Sequence, residues 1–231
     1  MTRPETTLAA TVLSAKEIDD DGEAERLVEE AIAAARRHPA ADKADIANAL
    51  LHLADVQERR TDFGRAEATR REAHRLFLRT YGREHPQTRH AKLSIAHLLR
   101  RTGQTHRALM AYRVVCPVRS ERPVWLSLVI EEIEREVGET RRADRTLDDA
   151  LEGLRRDHGG DAMTTTSTLI QAAQRLALRS RRLEAQAVLD EAIASVEEVI
   201  AGRRMSMSAR IPSQVLAELR AARETLGGIG G

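Results

Sequence analysis

Apolar residues recur at steps of three and four along most of the chain, as in Leu50, Leu53 and Ala54 and again in Ile193, Val196 and Ile200. That spacing lines one face of a 3.6-residue helix and marks amphipathic helices packed on neighbours. Strand-like alternation is nearly absent; Val124 to Ile130 comes closest, and it runs straight into a charged helical pattern. The pattern predicts helices at roughly 6–18, 45–60, 88–101, 124–137 and 165–179, each followed by a partner, at 22–37, 63–81, 106–115, 141–156 and 182–201. A last helix over 212–226, with Ser208 upstream as a cap and Pro212 in its first turn, is expected to cover the open end of the stack.

An internal repeat organises these pairs. Small residues seven apart recur as Ala24/Ala31, Ala66/Ala73, Ala108/Val115, Ala143/Ala150 and Ala185/Ala192, with first members separated by 42, 42, 35 and 42 residues. Five positions earlier stand Asp19, Thr61, Gly103, Gly138 and Ser180, turn formers suited to the link between two helices. Twelve positions earlier stand Val12, Ala54, Ala96, Glu131 and Ala173, where small residues let helix backbones approach; Glu131 fits poorly and suggests a local shift in the fourth repeat. Pro117 cuts the second helix of the third repeat short, because proline lacks the backbone donor and clashes with the preceding turn. It is expected to bend the stack near 116–123.

These positions resemble the tetratricopeptide repeat. The second repeat carries the pattern as Leu50, Leu53, Ala54, Phe63, Ala66 and Ala73, and the third as Ile95, Ala96, Gly103, Ala108 and Tyr112. The 42-residue step and the ending Gly82-Arg-Glu-His85-Pro86-Gln-Thr88 are similar to the kinesin-light-chain subfamily, with His38-Pro39 and His158-Gly159-Gly160 as weaker echoes. The resemblance covers about 8–201 and departs where His52 replaces the subfamily's Asn. It implies an all-α fold, an α-α superhelix (solenoid) of about five helix pairs plus a C-terminal capping helix. The expected domain is one solenoid over 1–226, with repeats at about 6–40, 43–86, 88–117, 124–161 and 165–202 and a flexible tail at 227–231.

Composition agrees with long helices: aromatics are 2% of the chain, and Ala and Leu dominate the apolar 42%. Only Lys16, Lys43 and Lys92 among the basic residues are lysines, which with the abundant Ala reads as a chain from a GC-rich bacterium. The single Cys116 rules out an intrachain disulfide and suits a reducing compartment, so the cytoplasm is expected. No stretch approaches the roughly 20 apolar residues of a membrane span, so no membrane partner is expected. The net charge of +1 hides an asymmetry. Residues 1–58 hold 6 basic and 13 acidic side chains, whereas 59–119 hold 15 and 4, with five histidines besides. A basic middle points to an acidic protein or peptide partner, to nucleic acid, or to self-association of the basic region with the acidic first repeat of another copy.

By the family's layout, first helices line a concave groove. The groove-facing positions are Asn48, Leu51, Asp55, Glu58 and Arg59 in repeat two, and His90, Leu93, His97, Arg100 and Arg101 in repeat three. Repeat four supplies Trp125, Leu128, Glu132, Arg135 and Glu136, and repeat five Ile170, Gln174, Ala177 and Leu178. His90, His97, Arg100 and Arg101 with Arg59 would form a cationic patch able to hold carboxylates or phosphates. Trp125 either anchors a partner or packs the joint after Pro117. Lys and Asn are missing from the positions that form the family's chaperone-tail clamp, which disfavours that partner. No phosphate loop, nucleophile elbow or His-Glu-x-x-His motif occurs, and Asp19-Asp20-Asp21-Gly22 fails as a calcium loop because Val28 stands where the bidentate Glu is required. The sequence therefore points to a non-catalytic protein- or peptide-binding scaffold without cofactor or metal, using the groove of repeats two to four. A nucleic-acid-associated factor binding through 59–119 is the alternative, and a sensor module of a signalling ATPase-type protein a third reading.

Overall fold

A computed structural model describes residues 4–118, 122–157, 162–202 and 211–228. Eleven helices account for the secondary structure among them, with no strand. The first helices of the pairs are α1 (Pro4–Lys16), α3 (Lys43–Arg59), α5 (Pro86–Arg101), α7 (Val124–Glu136) and α9 (Ala162–Ala177). Their partners are α2 (Asp21–Arg37), α4 (Phe63–Tyr81), α6 (Thr105–Val115), α8 (Thr140–Asp157) and α10 (Arg182–Ile200), followed by α11 (Pro212–Gly228). The expected cap residue Ser208, the His158-Gly159-Gly160 echo and the last three residues of the tail lie outside the described residues.

The chain divides into two compact units, Met1–Pro117 and Val118–Gly231. In the first, each helix from α1 to α6 packs on the next, and α1 also packs on α3. In the second, α7 to α11 pack in sequence, α7 also meets α9, and α11 lies against both α9 and α10. Each unit has its own apolar core. Val28, Leu50 and Phe77 sit in the first, and Leu147, Leu169 and Leu189 in the second. Val215, Leu219 and Leu226 of α11 join the second core, which is how this helix covers the open face of the last pair. The recurring small residues are the points of close approach: Ala24, Ala66, Ala73, Ala108, Ala143, Ala150, Ala185 and Ala192 are all buried, as are Ala54, Ala96 and Ala173.

The links within the second to fifth pairs share one backbone device. Thr61, Gly103, Gly138 and Ser180 all have positive φ, at 61°, 71°, 82° and 59°. The N–H of Thr61 donates to the carbonyl of Glu58 (3.0 Å), and the following N–H of Asp62 reaches back to Gln57 (2.9 Å). The same two bonds recur at Gly103/Gln104, Gly138/Glu139 and Ser180/Arg181. This is the left-handed C-terminal closure in which two otherwise orphaned carbonyls are satisfied. Between the second and third pairs, the Gly-x-x-His-Pro-x-Thr segment reads as a stop and a start. Gly82 (φ 83°) ends α4, the His85 ring accepts from the N–H of Gln87 (3.3 Å), and Pro86 opens α5. Asp20 has the matching role for α2, accepting from Gly22 (2.7 Å) and Glu23 (3.1 Å), so the run of aspartates is a helix cap.

Candidate functional site

In the first unit, α1, α3 and α5 line an open cavity of about 460 Å³. Its apolar part comes from Leu8, Val12, Leu13 and Leu51, and its polar part from Lys16, Asp45, Asn48, His52, Asp55 and His90. Four of the expected groove residues, Asn48, Leu51, Asp55 and His90, therefore meet on one face. Leu13 is 62% exposed there. His52, which the sequence marks only as a departure from the subfamily, enters the same cavity. Burial and then the charge of Lys16 hold its pKa below the usual histidine value, and its Nε2 is buried with no hydrogen-bond partner.

The expected cationic patch is largely tied down. Arg59 reaches back to Asp21 (2.6 Å), and Arg101 bonds Glu58 and stacks over the Phe63 ring at 5.9 Å. His97 shares a 3.0 Å hydrogen bond with the Tyr112 hydroxyl, edge-on to that ring. Burial, then the neighbouring charges of Arg100, Arg70 and His90, hold His97 below its ordinary pKa, so the ring is predominantly neutral near pH 7. Asp55 is bound by the buried Arg70 (2.7 Å). The two tie-downs are repeat equivalents. Asp55 and His97 each stand one past the small residue of their first helix, and each bonds the side chain 15 residues further on.

In the second unit, α7 and α9 line a cavity of about 580 Å³, which receives Glu132, Arg135, Glu136, Gln174, Arg175 and the 84% exposed Leu178. Beneath it Glu131 is wholly buried. Arg135 (3.0 Å), Arg175 (2.7 Å) and Arg179 all donate to its carboxylate. The fourth repeat is thus in register after all: a carboxylate occupies the close-approach position, because three guanidinium groups replace the water it loses. Arg135 also bonds Asp144 (2.5 Å). Leu128, expected in the groove, is instead buried in the core at 1% exposure. Its equivalents Leu51 and Leu93 are half-buried, so this position forms the floor between first helices rather than a rim. Trp125, at the second position of α7, is 44% exposed.

Sequence reasoning missed the carboxylates that neutralise the basic middle. Glu25 of α2, nearly buried, takes Arg60 and Arg65 (2.7 Å), and Glu29 takes Arg65 as well (2.5 Å). Arg36 pairs with Glu72 (2.6 Å), and Arg71 and Arg107 share Glu67. The acidic first repeat thus meets the basic second repeat within one chain, α2 against α4. Except for Arg71 with Glu67, one turn apart on α4, the signal that could have found these pairs was their separation of roughly one repeat length.

Helix pairs closed by a repeated left-handed turn, with small residues at the crossings, define the class: an all-α repeat fold of the tetratricopeptide kind. Residues 45–121 match the sequence model of the tetratricopeptide repeat. Among solved structures the chain is similar to BtubC (BKLC) from P. vanneervenii, at 16% identity and a TM-score of 0.59, over 90% of this chain and 97% of that one. It is also similar to a Podosopora anserina protein of nearly identical TPR-like repeats of the kinesin-light-chain type, at 17% identity and a TM-score of 0.61, over 86% and 99% of the two chains. A variant of that protein gives a TM-score of 0.62 at 16% identity, over 88% and 100%. No curated protein matches the sequence. No helix among the described residues is long and apolar enough to cross a membrane.

Proposed function

We propose that the protein is a non-catalytic, cytoplasmic scaffold that binds a segment of a partner protein on the face made by its first helices. Repeats of this kind generally mediate protein binding, and the cavity of α1, α3 and α5 supports that role here. It presents exposed Leu13 and half-buried Leu51 beside unlike polar groups, Asn48, His52 and His90. An extended peptide suits such a surface, burying apolar side chains over the leucines while its backbone meets the amide and the imidazoles. The groove stretch of repeat four, around Arg135 and Glu136, offers a similar mixture within the second unit. An acidic partner is the finer reading. It rests on His90 and Lys16, since Arg59 and Arg101 already hold carboxylates. Binding of nucleic acid through 59–119 is weakened by the same ion pairs, which leave few cations for a phosphate backbone.

The test is capture of partners from a lysate by the full chain, compared with Leu13→Glu/Asn48→Glu and with Arg79→Glu as a control on α4. The groove pair should lose the captured proteins while the far-ultraviolet dichroism stays unchanged. Unaltered capture by the groove pair would show that this face is not the binding surface.

A further inference from the structure

On the other side of α5 from the groove, α4, α5 and α6 enclose a second open cavity, of about 500 Å³. Its walls are Arg71, His74 and Arg75 of α4 and Lys92 of α5, and its floor is Ala68, Ile95 and Ala111. At about 100° per residue, Lys92 and Ile95 stand roughly 140–200° around α5 from His90, so the cavity and the groove do not share a face. No carboxylate lines it. Arg71 is bound to Glu67, but Arg75 and Lys92 have no carboxylate partner among the described residues. Arg36, Arg59, Arg60, Arg65, Arg70 and Arg101 of the same unit, by contrast, all hold carboxylates.

We propose that this cavity is an anion site that takes a phosphoryl group, carried by a small free phosphate compound or by a phosphorylated side chain. A phosphoryl group brings up to two negative charges and three acceptor oxygens, enough to meet the Arg75 guanidinium, the Lys92 ammonium and the His74 imidazole together. A lone carboxylate would balance one of them. The cavity exceeds the size of the phosphoryl group alone, and its alanine and isoleucine floor suits the carbon atoms attached to it. The titration of the walls agrees. Burial and then Arg83 lower the pKa of Lys92, and burial and then Lys92 lower that of His74, as expected of cations held together without a counter-charge.

The experiment titrates the full chain calorimetrically with sodium pyrophosphate, and separately with a phosphoserine peptide and its unphosphorylated twin, in chloride buffer. Arg75→Gln/Lys92→Met is the site variant, and Arg89→Gln, whose arginine pairs with Glu84, the control. Binding should fall at least tenfold in the site variant and stay unchanged in the control. In the unaltered chain the ring protons of His74 should shift on binding and its pKa rise. Pyrophosphate binding alone assigns the site to small phosphate compounds, and a tenfold preference for the phosphorylated peptide assigns it to a modified partner. Absence of binding by both probes, or binding that survives Arg75→Gln/Lys92→Met, would overturn the proposal. Because the groove variants leave this cavity intact, its failure and that of the groove reading are separately visible.

Discussion

Gly103 and Thr61 occupy the same place in successive repeats of the first unit and adopt the same left-handed backbone, with φ of 71° and 61°. Exchanging their chemistries should therefore move stability in opposite directions. An L side chain in this region costs about 1–2 kcal/mol, whereas removing a glycine from the unfolded chain returns about 0.4–1 kcal/mol. A Cβ on Gly103 would meet nothing within 4 Å, so Gly103→Ala has no packing component and should cost about 1 kcal/mol net. Thr61 is exposed, so Thr61→Gly should remove the strain with little lost packing and stabilise by about 0.5–1 kcal/mol. Urea unfolding followed by helical dichroism reads both. With a slope of about 2 kcal/mol per molar, the midpoints should shift by roughly 0.5 M, downward for Gly103→Ala and upward for Thr61→Gly. The reversed pair of shifts, upward for Gly103→Ala and downward for Thr61→Gly, would mean that unfolded-state entropy, not left-handed strain, governs these turns. No shift in Gly103→Ala would mean that the turn relaxes to another conformation.

Glu131→Ala should destabilise the second unit by about 3–5 kcal/mol, because Arg175 and Arg179 would face each other with only 19% and 15% of their side chains exposed. Fluorescence of Trp125, on the same helix, follows the unfolding, and Glu132→Ala, which removes one more exposed bond to Arg175, should cost far less; equal costs would refute the central role of Glu131. Stability should also fall between pH 7.5 and 5.5, before most carboxylates titrate. His52, His74 and His97 all have folded pKa values lowered from 6.5, chiefly by burial. The unfolded chain therefore takes up protons first as pH falls, and the stability held by the neutral rings is lost through and below 6.5. A triple His→Gln variant should flatten this dependence in thermal melts, and an unchanged slope would place its origin elsewhere.

The helix boundaries were legible to within about three residues because they are set by local chemistry. Gly82, Gly103 and Gly138 supply positive φ, Pro86 and Pro212 open helices, and Asp20 and Asp62 accept first-turn N–H groups. That Asn48, Asp55 and His90 share one cavity was legible from the repeat register. The destination of the arginines was not. Whether Arg59 faces solvent or Asp21, 38 residues earlier, depends on how neighbouring pairs stack. Leu128 was misplaced for a related reason: the same repeat position varies from half-buried to buried with the helix beside it. Glu131 looked like a break in register because a sequence shows the misfit and not the three cations that resolve it.

Charge in a stacked repeat has to be read after the stacking pairs are removed. The excess of cations over 59–119 looks like a nucleic-acid surface in the sequence, yet Glu25, Glu58 and Glu67 alone bind six of its arginines. The pair of Glu58 with Arg70 differs from surface ion pairs of small net value, since both side chains are nearly buried and loss of Glu58 would leave the Arg70 charge inside the stack. Its requirement is structural, and it constrains Arg70 whatever the protein binds. Other cations of this stretch stand outside that scheme. Arg75 and Lys92, with His74 between them and Arg83 nearby, form a site whose charge no described carboxylate answers, whereas the leucine-lined groove across α5 is close to neutral. A single slab of helices thus presents two chemically distinct faces, one for apolar side chains and one for an anion.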